Sequence, residues 1–353
     1  MNGNAFGYQY AVAQRGKYIG ANSNGYARSE ADDVLGPDND KSNVLMTPTM
    51  RYEIASLTKN FTAVATMKLL RAHNLAIGTS VDAWLPKSWT RGPGFKTKKV
   101  TFYHLLSHTS GINQMLGALP EAKRPPDNGW DAMRFVVSQG VVPDSARKYK
   151  NANYALLRIA NAYMWKALGG GKVVPNLPAP PVDKFTHWIY ALDYLRRNVL
   201  EPAGIKNVSC FTSDGGGVAL NYDKGTKQSM KGKLMGTSSE ECAGARGLRL
   251  NAIDIVRHLS HLRYGTLVHP DDLASMDTLE LGWDEKAPGA WPGTFWHAGD
   301  LMPANKAPGP QLHTCGVTFA DGTQASLIVN SPLVSGSACG VLLGAWKAAI
   351  KPV

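Results

Sequence analysis

Apolar and polar positions alternate at the start of the chain. Tyr8-Gln9-Tyr10-Ala11-Val12-Ala13 reads as a strand with one buried face, Arg15-Gly16-Lys17 as a tight turn, and residues 18–27 as the returning strand. The same two-residue period reappears near the other end. Residues 311–320 and 324–330 flank Asp321-Gly322, a strong hairpin signal, and residues 337–349 follow as a final helix. Between these ends the period lengthens to that of helices, over residues 131–139, 154–168 and 187–199. The nearly unbroken apolar run from Phe61 to Leu70, ending near His73-Asn74, is too long for a strand and predicts a buried helix. Residues 175–181, rich in proline, and Asp214-Gly215-Gly216-Gly217 mark loops. Strands first, helices in the middle and strands last predict an α/β protein, its antiparallel sheet assembled from both chain ends beside a mainly helical middle region. No internal repeat is visible.

With 353 residues the chain can bury a large core, in one large unit or two closely joined ones. No window approaches the roughly 18 uninterrupted apolar residues of a membrane span. Met1-Asn2-Gly3-Asn4 has neither the basic nor the apolar part of a signal peptide. The strand pattern begins almost at once, so an upstream segment that was removed is compatible with the sequence, and an extracytoplasmic or secreted location would then follow. The net charge of +11 invites a nucleic-acid reading. The basic clusters, Lys96-Thr97-Lys98-Lys99, Arg147-Lys148-Tyr149-Lys150 and residues 224–233, are short, scattered and without a nucleic-acid-binding signature, so they read as solvated surface. Cys210, Cys242, Cys315 and Cys339 show no metal-finger spacing. Their even number permits disulfides without requiring them, and Cys315 and Cys339, in a strand-like and a helical run, read equally as buried hydrophobes.

The chemistry concentrates at Ser56-Leu57-Thr58-Lys59. A serine hydroxyl needs a base within hydrogen-bond reach. On a helix, residues three apart share a face with Cβ atoms roughly 5–6 Å apart, so Lys59 reaches back to Ser56. Unpaired N–H groups at a helix start favour negative charge developing there. Taken alone the motif is weak: Ser145-Ala146-Arg147-Lys148 repeats it in a charged, loop-like setting, and an isolated Ser56 reads as a helix N-cap. Two further elements change the balance. In Tyr149-Lys150-Asn151, a phenol beside an ammonium can have its pKa lowered and exchange a proton with the serine, while Asn151 offers a donor and an acceptor. In His297-Ala298-Gly299, a strand-borne imidazole would point into the cleft and the glycine would let a substrate backbone lie flat. His104 and His108 stand four apart, as two metal ligands on a helix can, but no glutamate accompanies them as in zinc proteases. There is no Gly-x-Ser-x-Gly, Walker or Gly-x-Gly-x-x-Gly pattern.

Ser56-x-x-Lys59, Tyr149-x-Asn151 and His297-x-Gly299, in that order, resemble the serine β-lactamase and penicillin-binding-protein superfamily. The nearest branch is the class C-like one, with its DD-peptidases, D-aminopeptidases and esterases. Supporting stretches include Leu105-Leu106-Ser107-His108-Thr109-Ser110-Gly111, residues 199–205, Ala243-Gly244-Ala245-Arg246-Gly247-Leu248 and Leu281-Gly282-Trp283. The resemblance implies one β-lactamase-like catalytic unit, a sandwich in which residues 1–75 and 245–353 form the α/β region and residues 76–244 the mainly helical one. It makes Ser56 the acylated nucleophile, Lys59 and Tyr149 the proton-transfer pair, and Asn151 and His297 positioning residues. The backbone N–H groups of Ser56 and Asp300 become the oxyanion hole. It calls for no cofactor or metal, and it explains His104 and His108 as structural. The implied partner is a small-molecule or peptide substrate, with the oligomeric state open.

Two departures shape the substrate expectation. Histidine stands where β-lactamases carry lysine, and Gly282-Trp283-Asp284-Glu285-Lys286 offers only Lys286 for a substrate carboxylate. A His297 held neutral by Lys59 would donate one hydrogen bond and attract anions weakly, which predicts neutral esters or amides over carboxylate-bearing β-lactams. The expectation is therefore a serine hydrolase acting on an ester or D-amino-acid-type amide. Its rivals are a β-lactamase or DD-peptidase, and a receptor that is acylated without turnover. Loops at residues 117–128 and 221–236 build the pocket and carry no readable code.

Overall fold

The computed structural model describes residues 5–30, 43–96, 99–112, 128–171, 179–211, 219–223, 232–234, 239–284, 292–303 and 309–349. The two ends of the chain meet in one antiparallel sheet. Strand β1 (Gly7–Gln14) pairs with β2 (Lys17–Arg28) on one side and with β8 (Thr323–Val329) on the other, Tyr8 lying opposite Val329. Strands β7 (Leu312–Thr318) and β6 (Phe295–Leu301) extend the sheet to one edge and β3 (Val44–Leu45) ends it at the other, in the order β3-β2-β1-β8-β7-β6. Both predicted hairpins form, and their turns are tied together by the Arg15 N–H donating to the Gly322 carbonyl. A short ladder of β4 (Tyr52–Glu53) with β5 (Arg249–Leu250) lies apart from this sheet and anchors the segment leading to Ser56.

Helices cover both faces, and strand alternation decides which side chain meets which helix. Ala11 and Ala13 let α7 (Ala252–Tyr264) approach one face through Ala252 and Val256. Val317, Phe319 and Leu327 meet α9 (Ala338–Ala349) on the other, where Phe319 stacks on Trp346 with ring centroids 4.6 Å apart. A cavity of about 210 Å³ between this helix and Trp296, Val317 and Phe319 lies on that outer side. The apolar run after Ser56 forms α1 (Thr58–Ala72), buried along nearly its whole length. Buried on nearly every side, it is central to the molecule, and its hydroxyls are satisfied internally: Thr62 donates to the Gly244 carbonyl and Thr66 pairs with Asn161. The helical region is completed by α2 (Pro93–Lys96), α3 (Phe102–Leu106), α4 (Trp130–Gln139), α5 (Asn151–Ala167), α6 (His187–Leu195) and α8 (Pro270–Thr278), of which α5 and α6 pack on α1 and α8 is tied to its end by Arg71 and Asp272.

Three expectations shift. Helix α5 begins at Asn151, three residues before the periodic apolar pattern, because its asparagines read as turn residues in isolation. Helix α6 ends at Leu195 and continues through Leu200 as a wider π-type turn ahead of Glu201-Pro202. The cysteines are not free: Cys210 bonds Cys242 and Cys315 bonds Cys339. Packing of β7 against α9 brings the latter pair's Cα atoms to 5.2 Å, within bridging reach, and the periodicity of either segment alone carries no such information. Among the described residues no helix is long and apolar enough to cross a membrane. Residues 175–178, 214–217, 224–231 and Lys286, and most of residues 117–128, lie outside the described residues.

Candidate active site

The site is built on a bend. Ahead of α1 the chain makes one 3-10 turn, Ala55–Leu57, entered through the fully buried Ala55 at φ 49°, a conformation a non-glycine residue adopts only under tight packing. The Ser56 hydroxyl caps neither this turn nor α1, which removes the N-cap reading. It faces Lys59 instead, with Lys59 Nζ 2.9 Å from Ser56 Oγ. Lys59 is fully buried, and its Nζ also meets Asn151 Oδ1 at 2.8 Å and the Ala245 carbonyl at 2.9 Å. Burial pulls its pKa down to about 7, opposed by the Asp284 carboxylate and assisted by Arg246.

These partners orient the lysine. A neutral amine keeps two N–H groups and one lone pair. Asn151 Oδ1 and the Ala245 carbonyl can only accept, so they take both N–H groups and turn the lone pair toward the Ser56 O–H. Asn151 is the first residue of α5, which carries it to α1 across 92 positions of sequence. Tyr149 lies just ahead of that helix. Its hydroxyl bonds the Ser56 side chain, and Lys59 Nζ lies 4.7 Å from its ring centroid. The residue as a whole is 45% exposed, yet its ring packs between His108 and His297, with centroids 4.7 and 6.3 Å away. The expected lowering of the Tyr149 pKa is not found. Desolvation pushes it up and outweighs the bond to Ser56, because the neighbouring lysine is itself driven toward neutrality.

The third element sits on the sheet edge. His297 and Gly299 alternate onto the buried face of β6, toward the Ser56 turn. A Cβ at Gly299 would stand 2.3 Å from the Ile54 carbonyl oxygen and 2.4 Å from Thr314 Oγ1. The glycine is thus required by the protein's own turn pressing on the strand, a different reason from the substrate contact expected. His297 is buried and its pKa is lowered, chiefly by desolvation and secondarily by Lys59, with Asp284 opposing. On the free edge of β6 the Asp284 N–H donates to the Trp296 carbonyl at 2.9 Å, and the Ala298 N–H donates to Asp284 Oδ2 at 2.6 Å. Strand alternation then points the Asp300 N–H off the same edge, while its carboxylate bonds His313.

The remaining candidates separate. Ser145 lies in an irregular segment with its hydroxyl on the Val142 carbonyl, apart from Ser56. His104 completes the N-terminal cap of α3 with Thr101 and bonds Asp144, whereas His108 accepts from the Lys150 N–H and Asn153 and packs under Tyr149. The two do not converge, and among the described residues no group of metal-binding side chains occurs. Two participants were not singled out from sequence: the Ala245 carbonyl, since any residue supplies one, and Asp284, an acid in an irregular segment that no spacing marks out from its neighbour Glu285.

A sheet built from both chain ends, helices on its faces, and serine, lysine and tyrosine meeting where sheet and helices join define the serine β-lactamase-like α/β fold. Residues 2–163, just under half of the chain, match the Beta-lactamase family model. Penicillin-binding protein 4* of Bacillus subtilis (strain 168) is 26% identical over 173 residues, covering 45% of this chain and 30% of that protein. Esterase EstB of Burkholderia gladioli is 30% identical over 105 residues, covering 30% of this chain and 24% of that protein. The matches thus span under a third of these relatives' own length. Among solved structures, the octameric penicillin-binding protein homologue of Pyrococcus abyssi superposes with TM-score 0.68 at 18% identity, over 98% of this chain and 74% of that one. D-amino acid amidase from Ochrobactrum anthropi SV3, complexed with L-phenylalanine amide, gives 0.63 at 20% identity, over 98% and 95%. At these identities the likeness is one of fold.

Proposed function

We propose that the chain is a serine hydrolase that forms an acyl-Ser56 intermediate on an ester or D-amino-acid-type amide. The observation that carries this reading is Lys59: buried, 2.9 Å from Ser56 Oγ, with a pKa near 7 and a lone pair turned to the hydroxyl. Lys59 takes the Ser56 proton as Oγ bonds the substrate carbonyl carbon. The oxyanion accepts from the Ser56 and Asp300 N–H groups. As the tetrahedral species collapses, the carbon–leaving-group bond breaks and the leaving group takes a proton relayed from Lys59 through Tyr149. Tyr149, its pKa raised, keeps a proton at neutral pH and serves as relay more readily than as base. Water then attacks the acyl carbon as Lys59 accepts its proton, the carbon–Oγ bond breaks to release the acid, and Lys59 returns the proton to Ser56 Oγ. The kinship with proteins named esterase and D-amino acid amidase supports this substrate range.

A panel of p-nitrophenyl esters, D-amino-acid amides, D-Ala-D-Ala peptides and nitrocefin tests the reading, together with a fluorophosphonate label. Turnover of an ester or amide, and labelling of the peptide containing Ser56, are expected. Ser56→Ala loses turnover by orders of magnitude and Ser145→Ala is nearly silent. Label on another serine would end the reading. Acylation without turnover would favour the receptor, and nitrocefin as preferred substrate the β-lactamase.

A further inference from the structure

The turn before β6 is held from several directions for no purpose the proposed reaction has yet used. Asn60 donates to the Gly282 carbonyl at 3.1 Å, and Arg147 spans from Glu280 (2.7 Å) to the Trp283 carbonyl (3.0 Å). Gly282 lies at φ +77°, and a Cβ there would meet Ala63 Cβ at 2.5 Å, so the turn is pressed directly against α1. The residue this platform delivers is Asp284. Its backbone and carboxylate clamp the free edge of β6 at Trp296 and Ala298, one strand period before Asp300. Its Oδ1 lies 3.6 Å from His297 Nδ1, which also contacts the Ala298 carbonyl at 2.6 Å.

Both neighbours of Nδ1 are acceptors. A neutral His297 therefore carries its proton on Nδ1 and presents Nε2 as an acceptor. The donor that the sequence assigned to substrate is already engaged. The edge beside the oxyanion position thus displays an acceptor nitrogen backed by a carboxylate. The charged and titratable groups around His297 are Asp284, Lys59 and Arg147, with His108 and Tyr149 nearby. Arg147 is taken up by Glu280, and Lys59 loses its charge as the pH rises through about 7.

We propose that Asp284 is a positioning and specificity-determining residue, which fixes the His297 tautomer and makes the His297 side of the cleft select neutral or cationic substrates over carboxylates. The proposal rests on the serine-hydrolase reading and narrows its substrate class. Because the Asp284 carboxylate also stabilises protonated Lys59, removing its charge lowers the Lys59 pKa, and the acid limb of kcat/KM moves to lower pH.

The test uses three acetate esters: phenyl acetate, 3-carboxyphenyl acetate and 3-(trimethylammonio)phenyl acetate. Wild-type protein should prefer the ammonium and neutral esters. Asp284→Asn should raise kcat/KM for the carboxylate ester relative to phenyl acetate by about tenfold, mainly through KM, since loss of one nearby charge at partial screening is worth about that factor. It should also depress the relative rate on the ammonium ester and shift the acid limb downward, whereas Asp284→Glu should restore the charge preference. A folded Asp284→Asn protein that is labelled at Ser56, with unchanged ratios and an unmoved limb, overturns the proposal. Should that variant not fold, wild-type protein cleaving the carboxylate ester as efficiently as the ammonium ester overturns it equally. Absence of any Ser56-dependent hydrolysis would instead strike the serine-hydrolase reading itself, and this inference with it.

Discussion

Gly299→Ala isolates the link between packing and chemistry. The added methyl would lie 2.3 Å from the Ile54 carbonyl oxygen, 2.4 Å from Thr314 Oγ1 and 3.0 Å from the Leu57 N. Two of these atoms are backbone of the turn that carries Ser56, so no side chain can swing away. To reach ordinary contact, β6 must retreat from the turn by about 1 Å, and a displacement of that size at reacting groups costs about 100-fold in rate. Overpacking adds about 1–3 kcal/mol of destabilisation. Two controls separate the effects. At Gly316 the nearest atoms to a new Cβ are side-chain methyls of Ile255 and Leu57, at 3.0 and 3.3 Å, rather than backbone of the Ser56 turn, so its alanine variant should lose some stability while retaining rate. At Gly20 nothing lies within 4 Å, and alanine should be silent. The assay is steady-state ester hydrolysis with thermal unfolding of the same preparations. A Gly299→Ala protein within about threefold of the wild-type kcat, less than 1 kcal/mol in barrier, would refute the argument that this contact sets the distance between Asp300 and Ser56.

Other consequences follow from the same geometry. Activity should rise with pH through about 7, as Lys59 loses its proton. Because its folded pKa lies below the unfolded value of 10.5, the unfolded chain binds more protons between those values, and this group's contribution to stability should increase with pH over that window; a stability–pH series on wild type and Lys59→Met checks it. Lys59→Ala and Tyr149→Phe should each lower kcat, and the double variant should lose far less than the product of the two, whereas independent losses would mean separate networks. Cys210→Ala should cost roughly 2–5 kcal/mol and also lower kcat, because Cys242 leads into the segment that offers the Ala245 carbonyl to Lys59. Cys339→Ala, on the far face of the sheet, should affect stability alone.

Local pattern sufficed for much of this protein. Alternation at residues 8–13 and 324–330 is a property of a half-buried strand wherever it occurs, and helix periodicity alone places Lys59 over Ser56. The β-lactamase-like sheet from both chain ends was legible because hairpin turns announce themselves in a few residues. What pattern lacks is distance between segments far apart in sequence. Only folding puts Asn151 Oδ1 and the Ala245 carbonyl on Lys59, where burial brings the amine toward neutrality and those two acceptors aim its lone pair. Local reasoning lowered the Tyr149 pKa from a neighbouring charge, whereas tertiary burial raised it, since desolvation depends on everything packed around a group. The disulfide partners and the role of Gly299 likewise depend on which surfaces meet. Asp284 is the sharpest case: one acidic residue in an irregular segment carries no signal in sequence, and it acquires a role only where the turn from α8 docks on the free edge of β6.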